Sequence, residues 1–225
     1  MSGGNHSSVW AIGYRAVRLN LWPAVCLQLV AGAILLSHQH PDGAAFFADL
    51  ADLRSRVGWR FAVISTPLFA AVLPYLLEPL RRGGLPRTPP RVLLALVLFW
   101  SLKGLEIDAF YRLQDWLFPA SMGGWLVPAK VAVDQLLYVT LWAVPSTIWY
   151  YQWARGSGTS QRDGWVAWYR QHVLSVVMLN WLVWIPAVTV IYCLPVPLQL
   201  PIQNLVLCLW ALLLMFLTTG PDKDE

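Results

Sequence analysis

The sequence predicts an all-α fold, a polytopic transmembrane helix bundle of four to six spans. Three observations predict it. Apolar residues make up 57% of the 225 residues and charged residues only 12%, whereas a soluble domain carries about a quarter charged. Mean hydropathy is +0.52. Six stretches reach or approach the roughly 20 apolar residues that a span needs: Ala16–Ser37, Trp59–Leu80, Val92–Phe110, Leu126–Trp149, Val173–Tyr192 and Leu198–Leu217. In hydrocarbon each backbone amide must bond within its own segment, so such runs are helices. The period-2 alternation of a barrel strand is absent.

The first run, Ala16–Ser37, is too long for a secretory signal and lacks a small-residue cleavage site. Ser37-His38-Gln39-His40-Pro41-Asp42 follows it. These ligand types on a loop are read as a polar span boundary, with no metal site. The second run, Trp59–Leu80, leads into a basic loop rich in Gly and Pro, holding Arg81, Arg82, Arg87 and Arg91. That loop suits anionic headgroups. Glu78 and Arg82 form an i,i+4 pair at the end of the run.

The third helix carries the most charge. At about 100° per residue, Lys103 and Glu106 share a face, while Asp108, Arg112 and Asp115 group on the opposite side. Ionisable groups inside spans are costly and mark functional hypotheses. Spacings of three and four let them neutralise each other locally. The fourth helix opens with Lys130, and Asp134 and Gln135 follow one turn later. Asp134 is expected to pair with Lys130 or with Arg112. Asn180 in the fifth run can bond between helices. Lys103, Glu106, Asp108, Arg112, Asp115, Lys130, Asp134, Gln135 and Asn180 are thus the candidate polar intramembrane network. Between the fifth and sixth runs, Pro195, Pro197 and Pro201 are expected to break the helix.

Aromatic residues bracket the loop between the fourth and fifth runs. Trp149 and Trp153 stand on one flank, Trp165 and Trp168 on the other. Amphipathic rings favour the headgroup level, so these four, with Arg81, Arg82, Arg87 and Arg91, are the candidate lipid or partner contacts. If all six runs span, ten basic residues lie on the side of both termini and six on the other, which favours termini on the positive side. The cysteines Cys26, Cys193 and Cys208 are odd in number and sit in apolar runs; they are read as buried free thiols. No nucleotide-binding, hydrolase or metalloprotease motif is present. The chain is read as a non-enzyme without cofactors. Its basic residues form no soluble cluster, so nucleic acid is not an expected partner.

Several segments resemble one family. Phe110-Tyr111-Arg112-Leu113-Gln114-Asp115-Trp116-Leu117-Phe118-Pro119 is followed by Lys130, Asp134 and Gln135 in a Lys-x-x-x-Asp-Gln pattern. Then come Asn180-Trp181-Leu182-Val183-Trp184-Ile185-Pro186, Val196-Pro197-Leu198-Gln199 and a late Trp210. In this order they resemble the Mpv-seventeen / peroxisomal membrane protein twenty-two family of small mitochondrial and peroxisomal membrane proteins. The resemblance covers Arg91 to Thr218, with a looser echo in Ala16–Gln39. Departures are Pro201 where the family has Arg, Ala211 where it has Asn, and the apolar run Ala187–Tyr192 where it has polar residues. Trp59–Leu80 looks like an added helix.

The resemblance implies a division into N-terminal helices and basic loop (residues 1–90), a family-like bundle (91–218) and a polar tail (219–225). It implies a mitochondrial inner membrane, with a peroxisomal membrane as an alternative; a bacterial inner membrane would satisfy the same physics. It also implies channel activity for small solutes. Loss of the family's polar positions favours instead a structural accessory subunit of a larger inner-membrane complex, with other membrane subunits and the lipid bilayer, including anionic lipids, as partners. A channel or transporter for ions or small metabolites is the alternative.

Overall fold

The computed structural model describes residues 25–82, 88–156 and 164–217. Among them all regular structure is helical. Helix α1 is Val25–Gln39. Helix α2 is Pro41–Val57, opened by a proline at its first turn and closed at Gly58, whose φ of 65° turns the chain sharply. The charges of this stretch suggest a loop. Phe47, Leu50, Ala51 and Arg54 recur at helical spacing and pack inward, and Asp42 and the late arginines suit the two ends of the dipole.

Helix α3 occupies residues 59–82, as Trp59–Pro67, a π-helical turn Leu68–Val72, and Leu73–Arg82. Helix α4, Pro90–Leu117, has 28 residues, about 42 Å at 1.5 Å per residue. It ends at Phe118, held extended before Pro119. A 3-10 stretch, Ala120–Trp125, leads into α5 over residues 126–154. The middle of α5, Val133–Ala143, is π-helical for 11 residues, against the single turn usual for such bulges. Helix α6 is Gly164–Tyr192, with a π-helical turn at Tyr169–Val173. Helix α7 is Val196–Leu217. The chain is broken between Tyr192 and Val196, but Pro201 lies inside α7 rather than breaking it.

Among the described residues, three helices are long and apolar enough to cross a membrane: Trp59–Pro79, Ala120–Ala154 and Gly164–Tyr192. Val25–Gln39 and Val196–Leu212 are shorter apolar helices. Helix α4 has the length, but it carries Lys103, Glu106, Asp108 and Arg112 within it.

One core joins both halves of the chain. Leu27, Phe47 and Ala62 pack with Tyr111, Val188, Ile191 and Leu198. The tightest crossing is α3 on α4. A Cβ on Gly104 would collide with the carbonyl of Ala62 and lie 2.6 Å from Thr66 Oγ1. Only glycine allows this approach, the small-residue packing that helices use without a hydrophobic driving force. Ser101 donates to Val63 O at 3.1 Å across the same interface.

Pro186 inside α6 removes a backbone donor and loosens the turn before it. Gln28 of α1 donates to Val183 O there at 2.9 Å. Cys208 is buried, Cys26 half-buried and Cys193 exposed, so the expected burial of all three thiols fails at the α6–α7 break.

Candidate functional site

The charges of α4 and α5 separate into distinct groups. Lys103 is 5% exposed. Its Nζ donates to Glu106 Oε1 at 2.8 Å, the one-face pairing expected from spacing. The same oxygen accepts Tyr138 OH at 2.5 Å and Trp142 Nε1 at 3.0 Å. The ammonium stands 5.9 Å from the ring centre of Phe99, 6.0 Å from Tyr138 and 5.4 Å from Trp142. Three rings and one carboxylate thus neutralise it.

Asp108 takes Arg112 at 3.2 Å and, from α2, the buried Arg54. Arg54 also donates to Gly58 O at 2.6 Å. Nothing in the spacing of the sequence announces Arg54 as a partner of Asp108. Asp115 turns away from Arg112 and accepts from the buried Lys130 at 3.1 Å.

Asp134 pairs with neither Lys130 nor Arg112, contrary to expectation, because both cations are held by other carboxylates. Its Oδ2 accepts Tyr192 OH at 2.6 Å and its Oδ1 accepts Gln135 Nε2 at 3.2 Å. Tyr192 in turn accepts Gln114 Nε2 at 2.8 Å, and that amide also donates to Lys130 O at 3.1 Å. Asn180 donates to Gln135 Oε1 at 3.3 Å. Two carbonyls of the π-helical segment also accept bonds from side chains of α6. Gln135 O accepts Trp181 Nε1 at 3.0 Å, and Thr140 O accepts Tyr169 OH at 2.9 Å. The π-helix therefore places Asp134 and Gln135 and ties α5 to α6.

Some of these groups border a half-open cavity of about 330 Å³ between α3, α4, α5, α6 and α7. That is the lower end of the size range of small-molecule sites. Its charged wall groups are Lys103 and Asp134; Gln135, Asn180 and Gln203 add neutral polarity. Tyr111 donates to Gln203 Oε1 at 2.7 Å. On α5 the lining runs from Asp134 to Tyr151, roughly 25 Å of helix axis. Of the expected network, Lys103, Asp134, Gln135 and Asn180 meet at the cavity; Glu106 backs Lys103; Asp108, Arg112, Asp115 and Lys130 form separate pairs. Sequence reading missed Tyr111, Tyr138, Tyr192, Gln114 and Gln203. Their signal was a polar tip inside an apolar run, which needs a partner when buried.

Among the expected surface contacts, Trp149, Trp153 and Trp165 are 45%, 60% and 54% exposed. Trp168 is instead buried, donating to Gln152 Oε1 at 3.3 Å and stacked on Trp165 at 4.9 Å. Arg91 is exposed. Arg87 and the side chains of Arg81 and Arg82 lie outside the described residues, and with them the expected Glu78–Arg82 pair. His40 is 3.7 Å from Asp42 at an exposed site, and His38 packs on Phe47.

Comparison with protein-family models, curated proteins and solved structures finds no match to this chain.

Proposed function

We propose that the chain is an integral membrane protein whose bundle encloses a solute path, making it a channel or transporter for ions or small metabolites. The cavity carries this reading. It follows α5 for most of the roughly 30 Å of a hydrocarbon core, and polar groups from four helices project into it. Buried charge in a span is retained where it lines a path or is paired within the bundle; Lys103 and Asp134 both line the cavity, and Lys103 is also paired, with Glu106. In this reading α4 spans alongside the three most apolar helices, its charges neutralised inside, and α1 and α7 complete the bundle. The resemblance to the Mpv-seventeen family supports an organellar membrane.

The test is release of entrapped choline, glucose and sucrose from liposomes containing the full chain. Release faster than from protein-free liposomes is expected. Ala143→Trp and Ala211→Trp, filling the cavity from opposite walls, should slow it with unchanged helical content. Release equal to protein-free liposomes would overturn the path.

A second reading, an accessory subunit of a membrane complex, draws on Trp116 and Trp125. They are 78% and 76% exposed on either side of one short connection. Large exposed aromatics suit a partner surface. Stoichiometric co-migration with other subunits on a native gel is its test.

A further inference from the structure

We propose that the cavity selects small organic cations, amines or quaternary ammonium compounds, with Asp134 as the counter-charge and the aromatic walls as the receptor. The proposal rests on the solute-path reading and names its substrate class. Two charged side chains reach the cavity wall. Lys103 is already neutralised, bonded to Glu106 at 2.8 Å and enclosed by Phe99, Tyr138 and Trp142. Asp134 is 4% exposed and takes part in no ion pair among the described residues; its two partners, Tyr192 and Gln135, are neutral. A buried carboxylate without a cation is costly, and a ligand's positive charge would complete the site.

The other polar wall groups, Gln135, Asn180 and Gln203, are also neutral. The remaining wall is rich in aromatic rings, with Trp100, Phe110, Tyr111, Trp184 and Trp210 among them. Aromatic faces attract ammonium groups, and most strongly where water is excluded. A hard metal cation would require six or more oxygen ligands in place of its hydration shell, and this wall is mostly rings and aliphatic carbon. An anion would face Asp134 and find Lys103 occupied.

The experiment is tryptophan-fluorescence titration of the full chain in detergent with choline, with 3,3-dimethylbutanol as its uncharged isostere, and with sodium chloride as the ionic-strength control. Choline is expected to bind saturably and about tenfold more tightly than the isostere, the scale of a desolvated cation–π contact. Sodium chloride should have no saturable effect. Asp134→Asn, whose amide oxygen still accepts from Tyr192, should lose about that factor for choline alone. Phe110→Leu should also weaken choline more than the isostere. Equal binding of choline and isostere by the wild-type chain would overturn the proposal, whether or not the variants fold. So would unchanged choline binding in folded Asp134→Asn. Liposomes that release sugars from a chain indifferent to choline would leave the path standing and remove this inference. Choline binding by a chain that releases nothing would do the reverse.

Discussion

Tyr192 on α6 donates its hydroxyl hydrogen to Oδ2 of Asp134 on α5 at 2.6 Å, and both side chains are buried. The bond joins the wall of the cavity to an inner polar chain, since Tyr192 also accepts from Gln114. Tyr192→Phe leaves Asp134 with Gln135 alone and removes one of the two partners of Gln114 Nε2. A buried group losing its partner costs about 1–3 kcal/mol. Thermal unfolding in detergent should show a lower Tm for Tyr192→Phe, with Asp134→Asn much closer to wild type. Equal Tm for wild type and Tyr192→Phe would count against a structural role for this bond.

Gly104 sets the separation of α3 and α4. Gly104→Val must push Ala62 and Thr66 away, and overpacking of this kind costs about 1–3 kcal/mol. The helices should part at Ser101 as well, breaking its bond to Val63 O. Reduced folded yield on size exclusion is the expected result, with Gly32→Val, where a Cβ meets nothing within 4 Å, as the tolerated control.

Arg54 and Asp108 test whether α2 is part of the bundle or a detachable cover. Arg54 is 3% exposed and bridges α2 to α4. Removing one member of a buried pair costs roughly 3 kcal/mol because the other charge stays buried. Arg54→Met alone should destabilise, and Arg54→Met with Asp108→Leu should recover most of the loss. A double-mutant cycle read by thermal unfolding checks this; simple additivity would show that the pair is not coupled.

The π-helical segment of α5 makes a sharper demand. Deleting the exposed Leu137 shifts Val133–Ala143 towards α-helical register. Residues before the deletion then rotate by about 100° relative to those after it. Asp134 and Gln135 should leave the cavity wall while Tyr138 stays. Circular dichroism should be unchanged, and solute release should fall to the level of protein-free liposomes. Retained release with retained helix would show that Asp134 and Gln135 are not needed at the wall.

The long apolar runs were legible because a 20-residue hydrophobic stretch has one solution in hydrocarbon, and the helices at Trp59, Leu126 and Val173 follow from it. The Lys103–Glu106 pair was legible because spacing alone puts both on one face. Helix α2 was hidden by its charges: Asp42, Asp49, Asp52, Arg54 and Arg56 look like loop composition until Phe47, Leu50 and Arg54 are seen to share a stripe. The partner of Asp134 was hidden for a different reason. Charge arithmetic offers Lys130 or Arg112, but the three-dimensional packing gives those cations to Asp115 and Asp108 and leaves a tyrosine for Asp134. Nor does any local pattern announce an 11-residue π-helix; two of its carbonyls accept from Trp181 and Tyr169, which are distant in sequence.

The most direct test of the central claim is water access along the cavity of the protein in intact membranes. Cys26, Cys193 and Cys208 would be replaced by serine or alanine, and single cysteines placed at Asn180 and Gln203 on the cavity wall and at Leu98, an exposed position on α4. A membrane-impermeant thiol reagent should label Asn180→Cys and Gln203→Cys, with protection by a bound solute, and should leave Leu98→Cys unlabelled in the lipid. Failure to label either cavity position, in protein that is folded and inserted, would contradict a solute path and leave the polar groups as internal bracing.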